Sequence, residues 1–183
     1  FDHCGGSIRR VGDKLMPAFK NATYWSNKFH WEWATKPNPR EKASFLKENI
    51  LPIQESGQLK FVDVGRRSAE ENLFLPEVFP GFGVLLVNGH TDAMMIPFIE
   101  YKGRTVIYMA DLLPSVHHIP LPWVMGYDTR PLLTLQEKGD VLDLAAAKDH
   151  VLFFEHDAAN QCCSVQATEK GVRLKEIFPL SAV

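Results

Sequence analysis

The stretch Phe1-Asp2-His3-Cys4-Gly5-Gly6 opens the chain and places an aspartate beside a histidine, just before two glycines. Adjacent residues of an extended strand point to opposite faces, so both side chains can reach one site only if the backbone turns. The Gly5-Gly6 pair makes such a turn easy, because glycine adopts backbone conformations that other residues avoid. The stretch therefore suits a ligand-binding turn, although a helix cap followed by a surface histidine suits it equally well.

Three further motifs with Asp or His follow short apolar runs that are typical of buried strands. They are Asn88-Gly89-His90-Thr91, Ala110-Asp111 and Glu155-His156-Asp157. Taken singly, His90 suits a hairpin loop, Asp111 a helix cap and His156 a core position. Polar residues that end different strands of one sheet can converge on a metal ion. Their shared position at strand ends therefore favours a metal site over three unrelated roles.

Other histidines and the cysteines are weaker candidates. His117 and His118 follow Asp111 closely and could line the same cleft, with His117 equally suited to a polar loop. We expect His118 on the substrate side, where it could protonate a leaving group. The adjacent Cys162-Cys163 pair lacks the ligand spacing of a zinc site. Three cysteines form a poor disulfide framework and favour a reducing compartment.

The composition restricts the classes of partner. The chain has 183 residues, 45% of them hydrophobic and 23% charged, which is enough for one sizeable core. A net charge of −2 gives no electrostatic attraction to nucleic acid or to a membrane surface. We therefore expect a small-molecule substrate, no nucleic acid, no membrane and a cytoplasmic location. A signal peptide would lie upstream of Phe1, outside this sequence.

The pattern of strands and helices predicts an α/β fold whose sheets are covered by helices. Asn38 and Pro39 predict a helix start, with the helix ending near Ile50. Thr134 and Glu137 form a capping box that predicts a second helix to about Lys148. The predicted strands are Tyr24-Trp25, 61–64, 83–87, 95–101, 105–109, 151–154, 164–168 and 172–177.

Together the motifs resemble the metallo-β-lactamase superfamily, whose members carry His-x-His-x-Asp-His. The chain begins at the x before the Asp-His of that motif, as Phe1-Asp2-His3, and the match continues through Cys4-Gly5-Gly6, Gly89-His90-Thr91, Asp111 and His156. The resemblance implies a four-layer αβ/βα sandwich, with the C-terminal two-thirds present in a single domain 1–183 that is incomplete at its N-terminus. We expect the missing N-terminal segment, as a separate chain or in a homodimer, to be a partner.

The resemblance also implies a role for each matched residue. Asp2, His3 and His156 resemble ligands of one metal ion, His90 a ligand of the other, and Asp111 the carboxylate that bridges both. The implied activity is hydrolysis of an ester or lactone by a metal-bound hydroxide at a dinuclear centre. The implied ions are two divalent metals, zinc first, with manganese or iron(II) as alternatives. The implied catalytic residues are Asp111, Asp2 and His118.

One departure from the family and two alternative functions remain at this point. Lactonases of the superfamily often carry a tyrosine three residues after the bridging aspartate, where this chain has Pro114. The same ligand set could serve a diiron redox protein, although no flavin-binding segment is evident. A non-catalytic metal-binding module is the other alternative, and the complete set of ligands disfavours it.

Overall fold

The computed structural model describes residues 3–65 and 78–183 of the chain. It shows two compact units, 1–65 and 66–183, which are described separately. Within the described ranges, no helix has both the length and the apolar character that crossing a membrane requires.

The first unit combines two small sheets with short helices. Strands β1 (Ile8–Val11) and β2 (Lys14–Pro17) form an antiparallel hairpin. Strand β3 (Tyr24–Asn27) pairs in parallel with β4 (Leu59–Val62) and leads directly into helix α1 (Lys28–Thr35). A second short helix, α2 (Leu51–Glu55), precedes β4.

Helix α1 begins where the sequence supplies a cap and an apolar face. The side chain of Asn27 accepts a hydrogen bond from the backbone N–H of His30 at 2.9 Å, which satisfies an otherwise unpaired donor of the first turn. The buried face of α1 then packs on a small core formed by Trp31, Ala34, Phe45 and Ile50.

Residues 38–50 do not form the single helix that the sequence predicts. Asn38 does accept hydrogen bonds from the N–H groups of Arg40 and Glu41, but only one turn follows. The chain then becomes extended at Leu46 and forms a short 3-10 helix, Lys47–Asn49. The carboxylate of Glu41 binds Nε1 of Trp33 at 2.8 Å, so this turn is fastened to α1 instead of continuing as a helix.

The second unit is built on one six-stranded sheet. Its strands are β5 (Phe82–Val87), β6 (Met94–Tyr101), β7 (Arg104–Tyr108), β8 (Val151–Phe153), β9 (Cys162–Thr168) and β10 (Gly171–Phe178). They lie in the order β10-β9-β8-β7-β6-β5. The sequence predicts all six strands to within two residues at each end. The α/β class is therefore confirmed.

The pairing of these strands explains how distant residues meet. Strands β5, β6 and β7 are successively antiparallel, while β7 and β8 are parallel. Strands β5, β7 and β8 therefore run in the same direction and end at the same edge of the sheet. The segments that follow them carry His90, Asp111 and His156.

Helix α3 (Pro131–Lys148) connects β7 to β8 and covers the sheet. It begins one turn before the predicted capping box, with a proline in its first turn. The main core cluster includes Leu85, Ile107 and Leu152 from the sheet, together with Val141, Leu142 and Ala145 from α3. This helix packs on the sheet and also contacts the loop that follows β5.

Candidate metal centre

Asp111 lies between two histidines at the common edge of β5, β7 and β8. Its Oδ1 lies 3.1 Å from Nε2 of His156, and its Oδ2 lies 3.6 Å from Nε2 of His90. The Asp111 side chain is only 10% exposed, whereas that of His156 is 38% exposed. One nearly buried carboxylate therefore presents one oxygen to each imidazole, and one of the two imidazoles faces solvent.

The backbone turns sharply before Asp111. The N–H of Met109 still donates to the carbonyl of Phe153 at 2.8 Å, so pairing between the two chain segments continues just past β7. Ala110 then adopts a left-handed conformation with a φ of +43°. That region costs a residue with a side chain about 1–2 kcal/mol, and such strain concentrates at functional sites.

The loop that carries His90 is fixed against the first turns of α3. The carboxylate of Glu137 accepts hydrogen bonds from the backbone N–H groups of Asn88 and Gly89, at 2.7 and 2.9 Å. Burial raises the pKa of Glu137, and these two hydrogen bonds oppose that effect. A Cβ added to Gly89 would lie 2.3 Å from the backbone nitrogen of Thr134, so only glycine permits this close approach.

The second ring nitrogen of His90 is held by a buried carboxylate. Oδ1 of Asp128 lies 2.9 Å from Nδ1 of His90, and the Asp128 side chain has no exposed surface. Because an ionised carboxylate only accepts hydrogen bonds, this contact favours the tautomer of His90 with its proton on Nδ1, in which Nε2 is the nitrogen that can bind a metal ion. Tyr127 packs edge-on against the same ring, with the ring centroids 5.8 Å apart.

Lys138 is buried in α3 and fastens the loop that leads to Asp128. Its ammonium group donates to the carbonyls of His118, Pro120 and Trp123 at 3.0, 3.3 and 2.7 Å. Burial lowers the pKa of Lys138 to about 8, while the negative charge of Asp128 acts in the opposite direction. The loop is therefore tied to the helix by three hydrogen bonds from one charged group.

Tyr108, the last residue of β7, hydrogen-bonds to Glu155 close to Asp111. Its pKa is raised well above the usual range by burial, then by the bond to Glu155 and by the negative charges of Glu155 and Asp111. The phenol therefore stays protonated at neutral pH and remains a hydrogen-bond donor beside the site.

The predicted site residues fall into three groups. His90, Asp111 and His156 lie together at the sheet edge, and their role as metal ligands stays a prediction. Asp2 lies outside the described residues, and His3 is an exposed residue of the first unit, so their convergence with the other three stays a prediction. His118 ends a 3-10 helix, Val116–His118, and its Nδ1 pairs with Oγ of Ser115 at 2.9 Å.

The titration of His118 bears on the role predicted for it. Burial lowers its pKa, the positive charges of Lys138 and His117 act in the same direction, and Asp128 opposes them. His118 is therefore mostly neutral at pH 7, since an unperturbed imidazole titrates near pH 6.5. A neutral ring can still donate a hydrogen bond from the nitrogen that carries the proton.

The residues that support the site were not predicted from the sequence. Asp128 lies in a loop without a strand-end pattern, and Lys138 occupies a helical position where lysine usually faces solvent. Glu137 matches a capping box, but its carboxylate binds the loop that carries His90. One feature of the sequence could have indicated these roles. Glu137 and Lys138 lie among the apolar positions of α3, and Asp128 lies just before this helix.

The donor atoms at the sheet edge fit divalent metal ions. Two imidazole nitrogens and one carboxylate are ligands that zinc, manganese and iron(II) accept. The arrangement of Asp128 behind His90 is the carboxylate–histidine pairing that orients metal-binding imidazoles.

Three solved structures with similar folds are larger than this chain. A probable metal-dependent hydrolase from Staphylococcus aureus aligns with a TM-score of 0.77 and 23% identity, over 97% of this chain and 58% of its own. The hydrolase AbOPH of the β-lactamase superfamily aligns with a TM-score of 0.68 and 17% identity, over 89% of this chain and 57% of its own. AidC, a dizinc quorum-quenching lactonase with a bound homoserine product, aligns with a TM-score of 0.66 and 18% identity, over 89% and 57%.

Comparisons by sequence give no further assignment: no protein-family model and no curated protein matches the chain. The chain spans a little under three-fifths of the length of the three structures named above. At these identities the likeness establishes the fold and not the activity. The chain therefore has the fold of the metal-dependent hydrolases of the β-lactamase superfamily.

Proposed function

We propose that the chain forms part of a metal-dependent hydrolase that cleaves an ester or a lactone of a small molecule. The observation that carries the proposal is the position of Asp111, whose two oxygens face Nε2 of His156 and Nε2 of His90. A carboxylate between two imidazoles suits a ligand that two cations share. The likeness to AidC, described as a dizinc lactonase, supports the same class of chemistry.

The proposed ligands divide between two ions. His90 would hold one ion, His156 the other, and Asp111 both, with Asp2 and His3 as further ligands of the ion held by His156. Zinc is the first candidate, and manganese or iron(II) are the alternatives. When bound, such ions supply the Lewis acidity that ester hydrolysis at neutral pH requires.

The protein's own residues would orient the ligands and handle protons. Asp128 accepts a hydrogen bond from the Nδ1–H of His90 and so keeps Nε2 directed at the proposed centre. His118 has its Nδ1 paired with Ser115, which leaves Nε2 as the ring nitrogen for a leaving-group oxygen. We propose that this nitrogen donates the proton that the leaving group needs.

Two measurements on the purified protein test the proposal together. Metal analysis should give about two divalent ions per chain, and a panel of esters and lactones should contain substrates whose turnover is lost with a chelator and restored by zinc. Bound iron with a redox signal and no hydrolysis would instead identify the diiron alternative. Bound metal with neither activity would identify a binding module.

A further inference from the structure

Lys138 carries a charge in a place where the fold exposes none of its surface. The residue is 0% exposed within α3, among the apolar positions Val141 and Leu142 that pack on the sheet. Removing an ammonium group from water is costly unless hydrogen bonds and an opposite charge compensate for it. The groups that compensate for the buried charge of Lys138 indicate the role of this residue.

The hydrogen bonds of Lys138 use its full donor capacity. An ammonium group has three N–H donors, and Nζ donates to the carbonyls of His118, Pro120 and Trp123 at 2.7–3.3 Å. The position of the loop between residues 118 and 123 is therefore fixed by its three hydrogen bonds to Nζ of Lys138. Five residues later the same loop reaches Asp128, which holds His90.

The opposite charge is that of Asp128. This side chain has no exposed surface, and its Oδ1 contacts Nδ1 of His90. In the described part of the chain, no donor forms a hydrogen bond with its other oxygen, Oδ2. Among the described residues, the one side-chain hydrogen bond of Asp128 is to His90, and the negative charge of Asp128 attracts the buried ammonium group of Lys138.

We infer that Lys138 is a positioning residue: through its charge and its three carbonyl contacts it holds Asp128, so that His90 presents Nε2 to the metal centre. The inference rests on the proposed function only for the metal that His90 would bind. The orientation of the His90 ring is a property of the protein alone. Lys138 acts through Asp128 and through the three loop carbonyls to which its ammonium group donates.

The test compares Lys138→Met, which keeps the volume and removes the charge, with Lys148→Met on an exposed position of the same helix. The ring nitrogens of His90 are followed by ¹⁵N NMR in the metal-free protein, with a His90→Gln variant to assign them. Zinc affinity is measured by competition with a chromophoric chelator. We expect Lys138→Met to shift His90 towards a mixture of tautomers and to lower zinc affinity about tenfold, and Lys148→Met to change neither.

A double-mutant cycle separates positioning from plain stability. If Lys138 acts through Asp128, the loss of zinc affinity caused by Lys138→Met should largely disappear in an Asp128→Asn background. A lower melting temperature with an unchanged His90 tautomer and unchanged zinc affinity would overturn the inference. Additive losses in the cycle would overturn it as well.

Two further outcomes are also decisive. Should Lys138→Met fail to fold, Lys138→Gln enters the same cycle, because its amide can still donate to two of the three carbonyls. Should the protein bind no zinc, the proposed function fails, while the NMR signals of His90 in the metal-free variants still confirm or refute the role of Lys138.

Discussion

The carboxylate of Asp111 concentrates negative charge between two imidazoles at a nearly closed position. Neutral imidazoles compensate for that charge only through hydrogen bonds, whereas divalent cations compensate for it directly. Asp111 lies 3.6 Å from His90 and 3.1 Å from His156, and its negative charge would be balanced best by a bound cation. Replacement of Asp111 should therefore reduce metal binding and activity far more than it reduces the stability of the fold.

Asp111→Ala should abolish the hydrolysis of any ester or lactone that the protein cleaves, with a loss of at least about 100-fold. It should also lower the metal content from two ions towards one or none, because the shared ligand is gone. Metal analysis and steady-state rates provide the measurement. Asp143→Ala, at an exposed carboxylate on α3, is the matched control. Two bound ions with near-normal turnover in Asp111→Ala would contradict the bridging role.

The depressed pKa of Lys138 predicts a specific pH dependence of stability. Burial lowers this pKa to about 8, whereas an unfolded lysine titrates near 10.4. Between pH 8 and pH 10.4 the unfolded chain binds more protons at this lysine than the folded chain does. The contribution of Lys138 to the free energy of unfolding therefore rises with pH in this range, and it is lost as pH falls through 8. Asp128 and His118 are the titratable groups that interact with it electrostatically.

Urea denaturation at pH 7.5, 9 and 10 provides the measurement for Lys138. The difference in unfolding free energy between the wild type and Lys138→Met should increase with pH by roughly 1 kcal/mol per unit. The exposed Lys148→Met variant should follow the wild type at every pH. A pH-independent difference for Lys138→Met would mean that the buried amine does not titrate in this range.

At the scale of elements, the geometry of the candidate site depends on how closely a loop approaches a helix. The loop after β5 lies against the first two turns of α3, where Thr134 meets Gly89 and Glu137 binds two backbone N–H groups. Carbonyls of the same loop accept hydrogen bonds from the N–H groups of Thr129 and Arg130. The position of His90 is therefore set by the start of α3 more than by β5 itself.

Gly89→Ala should lower the free energy of unfolding by about 2–3 kcal/mol, because the new methyl group would overlap the backbone of Thr134. It should also weaken zinc binding through displacement of His90. Gly126→Ala is the control, since a Cβ there meets no atom within 4 Å among the described residues. Chemical denaturation and chelator competition measure the two effects. Equal stability of the two variants would show that the loop can move away from α3 at no cost.

The sequence predicts elements well where hydrophobic period and turn chemistry agree, and poorly where a tertiary contact intervenes. The hairpin at Lys102-Gly103 is confirmed, with both residues at positive φ as a two-residue turn requires. The helix predicted from Asn38 is wrong, because Glu41 binds Trp33, a contact that no local pattern reveals. Asp128 and Lys138 escaped prediction for the same reason: their roles exist only once α3 lies on the sheet.

At the scale of the whole molecule, stability and metal binding should be linked. Three of the proposed ligands follow strands of one cooperative sheet, so unfolding of the second unit would disperse them. A ligand that binds only the folded state stabilises it by an amount set by its concentration relative to its dissociation constant. The proposed centre should therefore contribute to the thermal stability of the protein as well as to catalysis.

Zinc at about 100 times its dissociation constant should add about 2.7 kcal/mol and raise the melting temperature by about 5–10 °C. Scanning calorimetry with zinc and with a chelator measures this shift. The same experiment on His156→Ala should show a smaller shift, and Lys148→Met should match the wild type. A melting temperature that zinc leaves unchanged in the wild type would argue against a built metal centre in the folded chain.

The order in which the ligands occur along the chain has a consequence for biosynthesis. His90 and Asp111 lie before α3, whereas His156 follows β8, the strand that completes the parallel pair with β7. At ordinary rates of translation, roughly 3–13 s separate the emergence of residue 90 from that of residue 156. No cation can be enclosed during that interval, because one wall of its site has not yet been made. Acquisition of a metal at the proposed centre would thus be a maturation step, governed by the supply of ions available to a finished chain.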